Sequence, residues 1–181
     1  MFKLVFIALA AISLSLGLTT SYAEQNHLFT EDGYRSTLYR SPTPLFHENA
    51  KTIEPGELLA LQKTNPQLLL VDVYRNPWLH GQFTLPEEHV NLPKSLWLAN
   101  CGDGSLSNEW MAYCKQHLKQ ATLDNKAHPI VFYCRSDCWL GWNAVKRAHT
   151  LGYNNLYWLR DGTDGWEQAG LPLERAQPAP F

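Results

Sequence analysis

Short apolar runs alternate with helical patterns along this chain, and that alternation restricts the fold more than any other feature. Three runs are apolar almost throughout, as in strands buried on both faces of a sheet: 68–73, 130–133 and 156–159. Helical patterns begin at Pro55, cover about 107–121 and 139–151, and end with a short segment around Trp166. Strands that alternate with helices predict a single α/β domain with a mostly parallel sheet flanked by helices.

The first residues have the pattern of a secretory signal peptide. Lys3 gives a basic start, 4–18 are mostly apolar, and Ser21-Tyr22-Ala23 provides a small–x–small cleavage site. An uncleaved membrane anchor is the less favoured alternative, because the apolar run is shorter than the ~20 residues that span a bilayer. We therefore expect cleavage of residues 1–23, export to a bacterial periplasm, and no transmembrane anchor in the mature chain.

The remaining chain divides at changes in composition. The polar stretch 24–50 contains Pro42 and Pro44, so we expect an extended lead-in before one domain over 51–174. The proline-containing segment 175–181 is expected to form a loose tail. Cleavage removes one of 15 basic residues and leaves 14 against 17 acidic ones, a formal charge of −3. This balance argues against nucleic acid as a partner.

The segment from Cys134 to Trp139 lies where the predicted strand 130–133 passes into a helix. The N–H groups and the dipole at a helix start stabilise a thiolate, which favours Cys134 as a nucleophile. Cys138, four positions on, can attack a persulfide or a sulfenate on Cys134 and close a disulfide. The alternative is a small buried side chain without a chemical role. The pair therefore predicts persulfide or thiol–disulfide chemistry.

Cys101 and Cys114 lie outside this loop. Cys114 falls on the apolar stripe of the helix predicted over about 107–121, with Ser107 as its N-cap, and Cys101 precedes that helix. An exported protein meets oxidising conditions, so we favour a disulfide between them over two buried thiols.

A metal site is an alternative function for the same cysteines. Soft sulfur ligands suit Cu(I), and His80 or His89 would complete the site from the long stretch 74–93, which we expect to be irregular. Such a protein would bind or deliver copper or a cofactor. A further alternative is a catalytically idle domain that binds a partner through its lead-in.

Four pieces of the chain resemble the rhodanese-like family. They are Thr52-Ile53, the run Leu69-Leu70-Val71-Asp72-Val73, the segment His89-Val90-Asn91-Leu92-Pro93, and Phe132-Tyr133-Cys134-Arg135-Ser136 with its downstream Gly152-Tyr153 and Gly165-Trp166. The C-x-x-x-C-W spacing and the lead-in are most similar to exported members associated with PQQ-dependent alcohol catabolism. The resemblance implies a small sulfur donor or a thiol protein as partner, and a link to a PQQ-dependent dehydrogenase system.

The resemblance also implies roles for the loop residues. Cys134 is the implied nucleophile, and the implied substrate-binding residues are Arg135, Ser136, Asp137 and Trp139. Trp139 stands where a basic or hydroxyl residue is common in the family. Asp137 places a carboxylate near the thiolate, which disfavours a dianionic donor, unless it caps the following helix instead. Asp72 is interpreted as structural, with Arg75 as a nearby ion-pair candidate.

Overall fold

A five-stranded parallel sheet forms the centre of the protein. The computed structural model describes residues 28–84 and 88–181. In spatial order the strands are β1 (Lys51–Ile53), β8 (Leu156–Leu159), β7 (Ile130–Tyr133), β2 (Leu69–Asp72) and β6 (Leu96–Trp97). Every neighbouring pair in this sheet is parallel. The predicted α/β fold is confirmed, whereas the proposed signal peptide lies outside the described residues.

Four helices flank the sheet: α1 (Pro55–Thr64), α2 (Asn108–Thr122), α3 (Trp139–Thr150) and α4 (Gly162–Gln168). Helix α1 has proline in its first turn and a capping box between Glu54 and Glu57. Helix α2 begins after Ser107, whose Oγ accepts a hydrogen bond from the Trp110 N–H at 3.4 Å. These start signals are visible in the sequence, which is why both helices were predictable.

The two faces of the sheet carry separate apolar clusters. One cluster includes Phe132, Cys134 and Trp158 and is covered by α2 and α3. The other includes Val131 and Tyr133 and is covered by α1 and α4. Strand β7 is buried at all four positions because it lies in the middle of the sheet between both layers. No helix in the described part of the chain is long and apolar enough to cross a membrane.

The lead-in is extended and lies along α3. Its described part, from residue 28 to residue 50, contains turns and isolated bridges. Arg35 is buried, and its backbone bonds to the Asn143 side chain in α3. His47 is also buried, and its Nε2 lies 3.1 Å from the Trp142 carbonyl oxygen. Burial lowers the pKa of His47 from 6.5 to about 4.

Two segments are more ordered than the sequence suggests. The stretch expected to be irregular contains a hairpin of β3 (Trp78–Leu79) and β4 (Gln82–Phe83), and β5 (Val90–Asn91) pairs with β9 (Glu174–Arg175). The segment expected to be a loose tail is packed. The Ala179 N–H donates to the Trp97 carbonyl at 2.9 Å, and the Phe181 ring lies 4.6 Å from the Trp110 ring. These contacts join positions far apart in sequence, so local proline content did not reveal them.

Candidate functional site

Cys134 directly follows β7, at the carboxyl end of the sheet, and Cys138 is the N-cap residue of α3. Both side chains are buried, with 2% of each residue exposed. The Cys134 carbonyl accepts a hydrogen bond from the Thr163 N–H at 3.0 Å. Gly162 approaches the same carbonyl so closely that a Cβ there would lie 2.2 Å from the Cys134 oxygen. The start of α4 therefore fixes the backbone of the cysteine loop.

All four cysteines of the chain are paired. Cys101 and Cys114 form a disulfide with their Cα atoms 5.8 Å apart, which confirms the predicted connectivity. Cys134 and Cys138 form a second disulfide across the loop, with their Cα atoms 6.2 Å apart. Both separations lie within the range that a disulfide bridges. The cysteine loop is therefore in an oxidised state in this structure.

Asp164, in α4, binds the first half of the loop. Its carboxylate accepts hydrogen bonds from the Ser136 N–H at 3.1 Å, the Ser136 hydroxyl at 2.7 Å and Arg135 Nε at 3.0 Å. Burial raises the pKa of Asp164, but these hydrogen bonds outweigh it, so the pKa lies below its ordinary value. The hydrogen bond to Asp164 raises the pKa of Arg135. Asp164 carries no spacing signal of its own, so its place in the site could not be predicted from the sequence.

The lead-in binds the second half of the loop. Arg40 and Cys138 face each other in an isolated antiparallel bridge. The Trp139 N–H donates to the Tyr39 carbonyl at 2.9 Å, and the Ser41 N–H donates to the Asp137 carbonyl at 3.0 Å. These lead-in residues also had no sequence signal for a place in the site, because their contact depends on the tertiary path of an irregular segment.

Asp137 and Trp139 differ in exposure. Asp137 is exposed, has a left-handed backbone with φ of 48°, and precedes the N-cap Cys138. The alternative in which Asp137 caps α3 is therefore wrong, because Cys138 occupies the N-cap position. Trp139 is buried, and its Nε1 lies 3.1 Å from Ser41 Oγ. It anchors the lead-in in this structure.

A pocket of about 230 Å³ lies beside the loop. It brings Arg135 together with side chains from the strand ends and α4: Tyr74, His89, Thr163, Asp164 and Glu167. Arg135 is the predicted substrate-binding residue that reaches this pocket. Neither cysteine is among the residues that line it, so the pocket does not expose the disulfide.

Of the two histidines considered as copper ligands, His89 is paired with a carboxylate. His89 Nε2 lies 2.5 Å from Asp72 Oδ2, and its ring stacks on Tyr74. His80 lies in the turn between β3 and β4. Within residues 28–84 and 88–181, no group of three or more His, Cys, Asp or Glu side chains is arranged to hold a metal ion. Arg75, in turn, pairs with Asp103 at 2.6 Å rather than with Asp72.

The hydrogen bonds of the loop define what it can do chemically. An anionic sulfur on Cys134 depends on nearby N–H groups that point at it. The N–H of Ser136 is bonded to Asp164, and the N–H of Trp139 is bonded to Tyr39. These two donors are not available to a thiolate or persulfide in this conformation, whereas a neutral disulfide does not need them.

The site is thus a cysteine loop that joins the central parallel strand to a helix in an α/β domain. The model of the rhodanese-like domain matches residues 54–169. The chain therefore belongs to the rhodanese-like domain family. No curated protein is similar enough in sequence to count as a relative.

Solved structures resemble the chain at low sequence identity. A thiosulfate sulfurtransferase from Pseudomonas aeruginosa is 15% identical, with a TM-score of 0.47, over 71% of this chain and 21% of that chain. The polysulfide-sulfur transferase homodimer from Wolinella succinogenes is also 15% identical, with a TM-score of 0.46, over 70% of this chain and 79% of that one. A variant of EanB in complex with hercynine is 17% identical, with a TM-score of 0.50, over 81% of this chain and 36% of that chain. At these identities the likeness concerns the fold alone, and the chain spans only 21% and 36% of the first and third proteins.

Proposed function

We propose that the protein carries out thiol–disulfide exchange at Cys134 and Cys138. The observation that carries this proposal is the disulfide between these two residues, in the loop that follows the central strand β7. The engaged N–H groups of Ser136 and Trp139 support it, because they favour a neutral disulfide over an anionic persulfide.

The exchange requires a partner with two thiols. One partner thiolate attacks a sulfur of the Cys134–Cys138 disulfide, the S–S bond breaks, and a mixed disulfide forms. The second partner thiolate then attacks the partner's own sulfur in that mixed disulfide. The partner leaves as a disulfide, and Cys134 and Cys138 become thiols with the two electrons and two protons that the partner has given up. In the reverse direction a partner disulfide oxidises the two thiols, and the Cys134–Cys138 disulfide of this structure forms.

Sulfur transfer is the second candidate, favoured by the place of Cys134 in a rhodanese-like domain. Here the Cys134 thiolate attacks the sulfane sulfur of a small donor, the donor's bond to that sulfur breaks, the rest of the donor leaves as an anion, and Cys134 becomes a persulfide. The Cys138 thiolate then attacks Cys134 Sγ, so that hydrosulfide leaves and the Cys134–Cys138 disulfide forms. In this route Cys138 acts as the resolving residue, and Arg135 binds the donor.

The proposal includes export to a periplasm and support of PQQ-dependent alcohol catabolism. The signal-peptide pattern of residues 1–23 supports export, and two disulfides suit an oxidising compartment. The PQQ link is supported by the resemblance of the C-x-x-x-C-W spacing and of the lead-in.

Intact-mass analysis separates these routes. The reduced protein and its Cys138→Ser variant are treated with glutathione disulfide or with polysulfide and then alkylated. Thiol–disulfide exchange predicts that glutathione disulfide closes the pair in the wild type and leaves glutathione on Cys134 in the variant. A sulfur retained on Cys134 after polysulfide, with no reaction with glutathione disulfide, would replace this proposal by sulfur transfer. Reaction with neither reagent would contradict both routes. It would indicate a catalytically idle domain that binds a partner.

A further inference from the structure

Residues 36–46 form a strap that crosses the cysteine loop between two buried anchors, Arg35 and His47. Both anchors are held by α3, through the Asn143 side chain and the Trp142 carbonyl. Between them the strap is mostly exposed, and Leu38 is 68% exposed. The strap is therefore fixed at its ends and rests on the loop in the middle.

The middle of the strap is bonded to the loop at the level of the second cysteine. The bridge between Arg40 and Cys138 brings the two backbones together. Arg40 Nη1 donates to the Ser136 carbonyl at 2.6 Å, and Ser41 Oγ lies 3.1 Å from Trp139 Nε1. The strap thus contacts the loop through both backbone and side chains.

Tyr39 adds a contact between the strap and the core. Its ring packs against the apolar cluster that contains both cysteines of the loop, and its hydroxyl accepts the Gly104 N–H at 2.9 Å. Because only 2% of Cys134 and of Cys138 is exposed, an incoming thiolate cannot reach either sulfur along the line of the S–S bond.

We propose that the strap, residues 36–46, is a gate over the Cys134–Cys138 disulfide, and that it must lift before a thiol partner reacts. The inference rests on the proposed thiol–disulfide function. Lifting the strap also releases the Trp139 N–H from Tyr39, so the donor becomes available to the thiolate that reduction creates at the start of α3.

The test compares the rates at which the two disulfides of the same protein, Cys134–Cys138 and Cys101–Cys114, are reduced. Dithiothreitol breaks the S–S bond, leaves two protein thiols and becomes a cyclic disulfide, and alkylation followed by mass analysis reports each pair separately. The double variant Arg40→Ala/Ser41→Ala removes side-chain contacts of the strap, and Arg175→Ala, an exposed arginine paired with Glu88, is the matched control. We expect reduction of Cys134–Cys138 to become about tenfold faster in the double variant. This factor corresponds to the loss of one charged hydrogen bond that holds the strap on the loop. The rate for Cys101–Cys114 should stay unchanged in both variants.

Equal rates for Cys134–Cys138 in the wild type and the double variant would overturn the gate. Faster reduction of both disulfides would also overturn it, because that result indicates general unfolding. Alkylation of the reduced protein by iodoacetamide gives the same comparison without any redox step. A faster reaction of Cys134 in the double variant supports the gate even if the pair never exchanges with a partner, so failure of the proposed function is seen separately.

Discussion

Asn143 holds the backbone of Arg35 with both polar atoms of its side-chain amide. Its Oδ1 accepts the Arg35 N–H at 2.9 Å, and its Nδ2 donates to the Arg35 carbonyl at 2.8 Å. The same Nδ2 donates to the Gly102 carbonyl at 2.9 Å. One fully buried side chain in α3 therefore joins the lead-in to the segment that bears Cys101.

Replacing Asn143 by alanine is expected to destabilise the protein by about 3 kcal/mol, because buried backbone groups lose their partners. Denaturant unfolding measures the free energy of unfolding. Asn155→Ala, which removes one exposed hydrogen bond to the Ala127 carbonyl, is the control and should cost less than about 1 kcal/mol. Equal effects of the two changes would show that Asn143 does not hold the lead-in.

Gly162→Ala is expected to destabilise the cysteine loop. The backbone of Gly162 has a positive φ of 50°, and the added Cβ would meet the Cys134 carbonyl. Strain and overlap together should cost about 3 kcal/mol in the free energy of unfolding. Gly56→Ala, at a helical position with nothing within 4 Å of the new Cβ, should be neutral or stabilising by up to about 1 kcal/mol. If Gly162→Ala leaves the free energy of unfolding and the conformation of the loop unchanged, the packing of Gly162 against the Cys134 carbonyl is contradicted.

The stability of the protein should depend on His47 below pH 6.5. Above that pH His47 is neutral in both the folded and the unfolded chain, so its protonation does not affect stability. Between 6.5 and about 4 only the unfolded chain takes up the proton, because burial lowers the pKa of His47 in the folded state. The loss should reach about 3 kcal/mol near pH 4. Unfolding curves at several pH values should show a shallower decline for His47→Gln, and no such change for His149→Gln, an exposed position in α3. Parallel pH profiles for the wild type and His47→Gln would contradict this origin.

Asp164→Asn should loosen the first half of the loop at neutral pH. The carboxylate accepts from Arg135 and Ser136, so its loss is expected to cost about 2 kcal/mol. Because the pKa of Asp164 is lowered in the folded state, its stabilising effect is present above the ordinary carboxyl range and is lost as the pH falls through the folded pKa. The wild type and the variant should therefore converge in acid. A difference in unfolding free energy that stays constant down to low pH would refute the ionic part of this account.

Local patterns in the sequence were sufficient for the helices and for three of the five strands of the sheet, β2, β7 and β8. The apolar run of β7 and the N-cap Ser107 are each defined by a few neighbouring residues, so they can be recognised without knowledge of the fold. The Cys101–Cys114 disulfide was expected from the oxidising conditions that an exported protein meets, and not from the spacing of the two cysteines.

The parts that could not be predicted depend on distant segments. The bond of Asp164 to Ser136 joins residues 28 positions apart, and Arg40 reaches Ser136 across 96 positions. The packed tail has the same origin, since Phe181 contacts Trp110 only after the sheet has formed. Such contacts have no periodicity or spacing to reveal them.

Redox titration of the intact protein is the decisive test of reversible thiol–disulfide exchange at Cys134 and Cys138. The protein is equilibrated with dithiothreitol buffers of graded potential, alkylated, and analysed by mass to follow each disulfide. We expect Cys134 and Cys138 to gain and lose two electrons reversibly while Cys101–Cys114 stays closed and the fold is kept. Reduction of Cys134–Cys138 only together with Cys101–Cys114 and with unfolding would contradict a redox role and leave both disulfides structural.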